Sequence, residues 1–195
     1  MPIGVIAQTG LAVAAILLAA PAGSTPAILA YRLDSAASGV DERVGFLGIG
    51  SRTAHFPSVS GSVALSPAAM DRIDLNVAID ARQLTASDTL TTRRLKGRHF
   101  FDVDHHPIVR FAGHALAMTG ATTGNVTGEL TARGVTKPVV LAVTFSIPPA
   151  HATGREAIAL TGTTTINRRD FGMTAYSFIV GRKVRIIINT RLVPA

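Results

Sequence analysis

The chain has 195 residues, of which 47% are hydrophobic and 16% are charged, and it contains no cysteine. This length and composition are typical of one well-filled globular domain and exclude an intrinsically disordered chain. The lack of cysteine excludes disulfide bonds and cysteine-based zinc sites, whereas the net charge of +7 favours anionic surfaces, phospholipid head groups or nucleic acid, without choosing between them.

Residues 1–30 differ from the rest of the chain because they contain no Asp, Glu, Lys or Arg. The apolar run from Leu11 to Ala20 has the length of an export-signal core and is too short to span a bilayer. We therefore predict a signal peptide over residues 1–30, cleaved after Ala22 or Ala27, and a periplasmic mature protein. The alternative is an uncleaved N-terminal helix that holds the protein on a membrane.

From Tyr31 onward, apolar and polar residues alternate with a period of two, which is typical of antiparallel strands. Gly and Pro cluster at Thr119–Gly124 and Pro148–Gly154, and these clusters predict hairpin loops. About eight strands are expected, at Val44–Ile49, Gly61–Leu65, Arg72–Asp80, Ile108–Met118, Val126–Ala132, Val139–Ile147, Ile158–Ile166 and Val184–Leu192.

One segment, Ser87–Lys96, does not alternate. A capping residue at its start and Gly97 after its end predict a short helix with Leu90 and Leu95 facing inward. About eight antiparallel strands with one helix form either a sandwich or a closed barrel, and alternation does not distinguish these two folds.

Four segments, in this order, resemble the YceI-like polyisoprenoid-binding family of exported bacterial proteins. They are Tyr31–Asp34, Leu95–Asp102 leading to Pro107–Phe111, Gly128–Pro138, and Ile166–Met173. The resemblance implies that residues 31–195 form an all-β, eight-stranded antiparallel barrel, lipocalin-like, with one short helix between strands. It also implies that a long apolar molecule, such as an isoprenoid quinone or a polyprenyl chain, lies in a central tunnel, with no catalytic residues and no cofactor.

The chain departs from the family pattern at three places. Ala37-Ser38 stands where the family usually has His-Ser, Thr91–Arg94 stands where an Arg-Asp-x-His run is usual, and His99 replaces an acidic residue. We place these positions around the helix and its flanking turn. The apolar tunnel is therefore expected here, whereas the family's polar contacts to a ligand head group are not carried over.

The apolar face of each strand is expected to point inward when the interior holds hydrocarbon and the exterior meets water. Other phenylalanines, including Phe46, Phe145, Phe171 and Phe178, are predicted to lie in the core. The residues predicted to bind the ligand are Ile73, Leu75, Val77, Ile79, Phe100, Phe101, Phe111, Leu141, Val143, Ile186 and Ile188.

The leading hypothesis is a non-enzymatic carrier that sequesters an isoprenoid-type lipid. A second hypothesis keeps the barrel and gives it a fatty acid or fatty amide. A third makes the protein an enzyme acting on a hydrophobic substrate, with His99, His105 or His106 as the proton-transfer group.

Two polar patterns receive simpler interpretations. His105-His106 beside Asp102 and Asp104 is interpreted as a solvated turn rather than a metal site, because adjacent strand residues point to opposite faces. The basic residues are interpreted as a solvated rim that contacts an anionic membrane surface transiently; they are Arg93, Arg94, Lys96 and Arg98, with Arg168-Arg169 and Arg182-Lys183. The low aromatic content (5%) argues against nucleic-acid binding, because few rings are present to stack on bases. For the oligomeric state, a homodimer is an alternative to a monomer.

The segment Asn167–Met173 is predicted to form a structural corner that closes the barrel. Its polar side chains can bond to turn backbone, and Gly172 can supply an unusual backbone conformation.

Overall fold

The computed structural model describes residues 27–195, so the predicted signal peptide lies outside the described residues except for its last four positions. Its first strand already begins at Leu29. The eleven strands are β1 (Leu29–Leu33), β2 (Gly39–Phe46), β3 (Gly50–Phe56), β4 (Val59–Ser66), β5 (Ala69–Asp80), β6 (Thr85–Ala86), β7 (Ile108–Met118), β8 (Thr123–Ala132), β9 (Val135–Phe145), β10 (Ile158–Asn167) and β11 (Val180–Pro194).

The strands form a closed antiparallel barrel of eight positions. The order β1-β4-β5-β7-β8-β9-β10-β11 closes on itself because β1 also pairs with β11. The remaining strands β2, β3 and β6 prolong three of these positions beyond short breaks, since β2 pairs with β11 and β3 while β6 pairs with β3. The predicted barrel is confirmed, and the sandwich is excluded.

The three breaks have local causes in the sequence. Asp34 and Asp80 each accept a hydrogen bond from the backbone N–H two residues later and so begin a short 3₁₀ turn. Pro57 stands between β3 and β4, where a proline cannot donate to the ladder. The alternation in the sequence predicts no separate strand for β1, β3 or β6, because each break interrupts the alternating pattern of a long strand.

One α-helix, α1, spans Thr89–Lys96 and bridges β6 and the loop that leads to β7. The Asp88 side chain accepts from the Thr91 N–H and caps the helix, and Gly97 follows its last residue. The predicted helix is therefore confirmed, although the cap is Asp88 rather than Ser87. Within the part of the chain that the structure describes, no helix has both the length and the apolarity needed to cross a bilayer.

The segment Asn167–Met173 forms the predicted corner. A 3₁₀ turn over Arg168–Phe171 ends at Gly172, whose φ of 76° lies in the left-handed region that favours glycine. The neighbouring β8–β9 turn is tied to this corner, because the guanidinium of Arg133 donates to the Gly172 carbonyl and, over 2.8 Å, to the Arg98 carbonyl.

The barrel wall is weakest between β9 and β10. Four residue pairs, Ala142–Phe145 with Leu160–Thr163, join these strands, whereas ten pairs join β10 to β11. The stretch from Val135 to Leu141 therefore has no ladder partner on its β10 side, and a side cleft of about 330 Å³ lies there.

The two ends of the barrel differ. One end is closed by the β9–β10 loop, whose Pro149 and Ala152 are buried over an apolar plug of Tyr31, Leu65, Leu116, Ile158 and Leu192. The other end carries α1, the β2–β3 turn and the loop between the corner and β11. This second end is called the mouth below.

Candidate functional site

The interior of the barrel is an apolar cavity to which all eight strand positions contribute. All but four of its lining residues are hydrophobic, the exceptions being Glu42, Thr164, Arg168 and Thr190. Such a wall can shelter hydrocarbon from water and offers few groups that would bind a polar ligand.

The free volume of this cavity is about 100 Å³. A compact, bulky ligand would need more space than this, because sites for drug-sized ligands have volumes of about 300–1,000 Å³.

The structure places ten of the eleven predicted binding residues on the wall of this interior cavity. The remaining one, Phe100, lines a second cavity at the mouth. Val77, Phe111 and Ile188 are only partly buried although they face inward, so part of their surface borders the empty space. Ligand contact by these residues stays a prediction.

The mouth cavity has a volume of about 290 Å³ and lies between β2, β3, α1 and the 173–180 segment. Five residues line both the mouth cavity and the interior cavity, so the two spaces meet at these side chains: Glu42, Phe101, Arg168, Met173 and Val184.

Arg168 is one of two buried polar residues in the described chain, and each of its three side-chain nitrogens donates one hydrogen bond. Its Nε donates to the Gly181 carbonyl over 2.8 Å, its Nη2 donates to the Val180 carbonyl over 3.0 Å, and its Nη1 donates to the Met173 carbonyl. Burial lowers the pKa of this guanidinium. Arg168 thus pins the start of β11 to the corner. The prediction that Arg168 belongs to a solvated rim is therefore wrong, because its side chain is buried.

Glu42 is a site residue that the sequence interpretation missed. It is half-buried on β2 and faces the junction of the two cavities. Burial raises the pKa of Glu42 to about 7, and no neighbouring charge or hydrogen bond offsets that effect. The signal was present in the sequence, since Glu42 stands two residues from Val40 and from Val44 and therefore shares their inward face.

Large hydrophobic side chains are exposed around the mouth. Of eight such residues in the described chain, six lie there: Leu47, Ile49, Leu90, Tyr176, Phe178 and Ile179. The prediction that Phe178 belongs to the core is therefore wrong, because this ring is fully exposed on a loop. Leu90 is also 54% exposed rather than turned inward, whereas Leu95 packs against the core.

We define the apolar tip as the β2–β3 turn with Leu47 and Ile49 together with the loop that carries Tyr176, Phe178 and Ile179. The two parts touch, since the Leu47 N–H donates to the Ile179 carbonyl over 2.8 Å. Cations surround the tip: Arg52 lies over the Phe46 ring, Arg94 lies near the Tyr176 ring, and Arg182 and Lys183 follow the loop.

The histidines considered for proton transfer lie away from both cavities. His99 and His105 are exposed, and neither they nor His106 line the interior or the mouth. His105 Nδ1 lies 3.0 Å from the Asp102 carboxylate in a turn, and this contact raises the pKa of His105. Within residues 27–195, no cluster of three or more His, Asp or Glu side chains is arranged to hold a metal ion.

The positions at which the chain departs from the family pattern lie in two places rather than one. Thr91 and Arg94 line the mouth cavity. Ser38 instead lies at the break between β1 and β2, where its hydroxyl is 2.6 Å from that of Thr190 on the interior wall. The expectation that all these positions surround the helix is thus wrong for Ala37-Ser38, because the barrel separates β1 from α1.

Comparison with known sequences gives the same family over nearly the whole described chain. The model of the YceI-like domain matches residues 31–192. A protein of Pseudomonas savastanoi named UPF0312 is 30% identical over 134 residues, which cover 69% of this chain and 70% of that protein. A UPF0312 protein of Pseudomonas putida GB-1 is likewise 30% identical over 134 residues, with the same coverage of both chains.

Solved structures share the fold. BcnA of Burkholderia cenocepacia has a TM-score of 0.72 at 24% identity, covering 82% of this chain and 98% of BcnA. A polyisoprenoid binding domain from Saccharophagus degradans, implicated in plant cell wall breakdown, has a TM-score of 0.63 at 14% identity, covering 86% of this chain and 99% of that domain. The YceI protein of Campylobacter jejuni has a TM-score of 0.59 at 21% identity, covering 71% of this chain and 82% of that protein.

Proposed function

Because the chain belongs to the YceI-like domain family, we propose that it is a periplasmic carrier that holds a long isoprenoid-type lipid in its barrel without changing it covalently. The observation that carries this proposal is the apolar interior cavity bordered by every strand position. The polyisoprenoid binding of the Saccharophagus domain supports the choice of cargo.

Burial of hydrocarbon supplies enough free energy for such binding. Removing about 500 Å² of chain surface from water yields about 12 kcal/mol before the cost of immobilising a flexible chain. Tight binding therefore requires no ion pair or metal. The protein would release its cargo by the reverse transfer into another apolar phase.

The direct test is recovery of the cargo. Protein purified from its own host is examined by native mass spectrometry, and its lipid is extracted and identified. Recovery of a quinone or polyprenol supports the proposal. Recovery of a fatty acid or fatty amide supports the alternative, in which the same barrel carries an acyl lipid. Chemical conversion of the recovered lipid by the protein would contradict a carrier and support the enzyme.

A pair of variants tests whether the cargo lies in the barrel. Val77→Asp places a charge on the interior wall, and Ala142→Asp places the same charge on the exposed outer face of β9. We expect Val77→Asp to lower lipid recovery by about ten-fold or more, because an unpaired charge facing hydrocarbon is costly, while Ala142→Asp leaves it unchanged. Equal recovery from both variants would place the lipid elsewhere.

We also propose that the apolar tip loads the barrel by inserting into an anionic membrane. The exposed rings and aliphatic chains of the tip surround the mouth, and the nearby arginines and lysine complement anionic head groups. Lipid could then pass from the bilayer into the mouth without crossing water.

Vesicle flotation tests the loading step. Ile49→Ser with Phe178→Ser removes two exposed apolar side chains from the tip, and Val140→Ser removes one that is 54% exposed on β9. The double variant should bind vesicles containing phosphatidylglycerol about ten-fold less well, and the control should match the wild type. Equal binding of all three proteins, or equal binding to pure phosphatidylcholine, would refute the membrane step.

Export is tested on the mature protein. N-terminal sequencing of the periplasmic fraction should show a chain that starts after Ala22 or Ala27. Cleavage at either site leaves β1, which begins at Leu29, complete. Recovery of the protein in the membrane fraction with residues 1–30 attached would instead support the uncleaved helix.

A further inference from the structure

A single carboxylate interrupts the apolar surface at the point where the mouth and the interior meet. Glu42 lies on the inward face of β2 between Val40 and Val44. Its cross-strand neighbours are Ile186 on β11 and Ala54 on β3, so neither adjacent strand presents a charge beside it. A lipid that fills the barrel with its tail would bring its polar end to this residue.

No side chain in the described part of the molecule neutralises Glu42. It forms no ion pair and no side-chain hydrogen bond in residues 27–195. Arg168 lines the same junction, but its three nitrogens donate to backbone carbonyls. A half-buried carboxylate without a partner is costly, and this makes Glu42 a candidate for contact with a ligand.

The other charged or titratable groups that line the mouth belong to three elements. They are Arg52 on β3, Asp88 and Arg94 at α1, and Tyr176 on the tip loop. Arg52 and Arg94 lie over the rings of Phe46 and Tyr176 and so are occupied at the rim. Glu42 is thus the deepest unpaired charge that an entering head group would meet.

We propose that Glu42 is a charge-selective head-group site, which favours lipids with a protonated amine head over lipids with a carboxylate head. An ammonium group would pair with the carboxylate where water is scarce, and a second carboxylate there would be repelled. This inference rests on the proposed lipid-binding function and adds a preference for one class of head group. It also argues against a fatty acid as cargo at neutral pH.

The test compares three probes with the same tail: dodecylamine, dodecanol and dodecanoic acid. Each displaces fluorescent phenylnaphthylamine from the wild type, Glu42→Gln and Glu42→Leu. At about pH 8.5, the wild type should prefer the amine over the acid by about ten-fold or more, and the preference should shrink at about pH 5.5, where Glu42 takes up a proton. Both variants should lose the preference at about pH 8.5. The affinity of the amine relative to dodecanol, which does not titrate, should change with pH in the wild type and not in the variants.

Dodecanol and a surface variant keep the result interpretable. Dodecanol should bind the wild type and both variants with similar affinity, which shows that each is folded and able to bind a chain. Glu129→Gln, at an exposed position of β8, should behave as the wild type. An unchanged amine preference in Glu42→Gln would overturn the head-group site and leave lipid binding intact, whereas failure of all three probes on the wild type would overturn both proposals.

Discussion

Two glutamates at opposite ends of the barrel show what each end is built for. Glu156, at the closed end, accepts hydrogen bonds from the Thr153 N–H and hydroxyl, and these bonds lower the pKa of Glu156 to about 2. Glu42, at the mouth, has no such partner, and burial raises its pKa to about 7. The closed end satisfies its polar groups internally, whereas the mouth leaves polar and apolar groups available to a partner.

The apolar residues differ in the same way. At the closed end Tyr31, Leu65 and Ile158 are almost completely inaccessible, while at the mouth Ile49 and Phe178 are almost completely exposed. We therefore expect stability to depend mainly on the closed end and binding to depend mainly on the mouth. Substitutions at the closed end should change the free energy of unfolding, and substitutions at the mouth should change binding.

The largest expected effect is at the closed end. Ile158→Ala removes a side chain that is 1% exposed and lines neither cavity. We expect the free energy of unfolding to fall by about 2–5 kcal/mol, because the plug loses hydrophobic burial and gains a void. Urea unfolding measures this loss, and a change below about 1 kcal/mol would show that the closed end is not the stable one.

The next effect comes from Glu42 and depends on pH. Its folded-state pKa of about 7 lies above the ordinary value of 4.5, so its contribution to stability is greatest below pH 4.5 and is lost as the pH rises towards 7. This loss amounts to at most about 3 kcal/mol. Urea unfolding between these pH values should show the decline in the wild type and in Glu129→Gln, and a much smaller one in Glu42→Gln.

A smaller effect is expected from the hydroxyl of Tyr31. This hydroxyl accepts a hydrogen bond from the Gly154 N–H over 3.2 Å and lies 3.4 Å from the Glu156 carboxylate. Tyr31→Phe should cost about 1 kcal/mol and leave lipid binding unchanged. Faster amide exchange confined to the β9–β10 loop would identify the affected region, and exchange spread evenly over the barrel would contradict this role.

The smallest effect is expected at the mouth. Leu90→Ala truncates a side chain that is 54% exposed on α1, so the free energy of unfolding should change by no more than about 0.5 kcal/mol. Thermal unfolding measures this difference. A loss as large as that of Ile158→Ala would remove the contrast between the two ends.

The sequence predicts the regular part of this barrel well and its irregular part poorly. In β5, the buried residues Ile73, Leu75 and Ile79 alternate with more exposed polar residues, so one face of this strand is readable from the sequence. The region from β1 to β6 has three breaks, and there the pattern of a half-buried strand is interrupted by Asp34, Pro57 and Asp80. Register shifts at these residues depend on the closure of the barrel, which a local pattern does not contain.

The candidate site follows the same division. The interior wall is predictable because every second residue of a strand points inward, and these residues are the apolar ones of the alternating pattern. The exposure of Phe178 is not predictable in this way, because hydrophobicity predicts burial for a ring in the core and for a ring on an exposed loop alike. Glu42 is predictable only in part. Its inward direction follows from its spacing to Val40 and Val44, whereas its lack of a charged partner is seen only in the three-dimensional structure.

The incomplete seam between β9 and β10 makes the barrel a split ring. Val139, Thr164, Ile166 and Phe171 border both the interior cavity and the side cleft. Widening at this seam would disturb the four ladder pairs of β9 and β10 and none of the other seven joints. Lys137 and Pro138, on the unpaired edge of β9, disfavour pairing with a strand of another molecule. We therefore expect a bound chain to change the circumference of the barrel rather than its length.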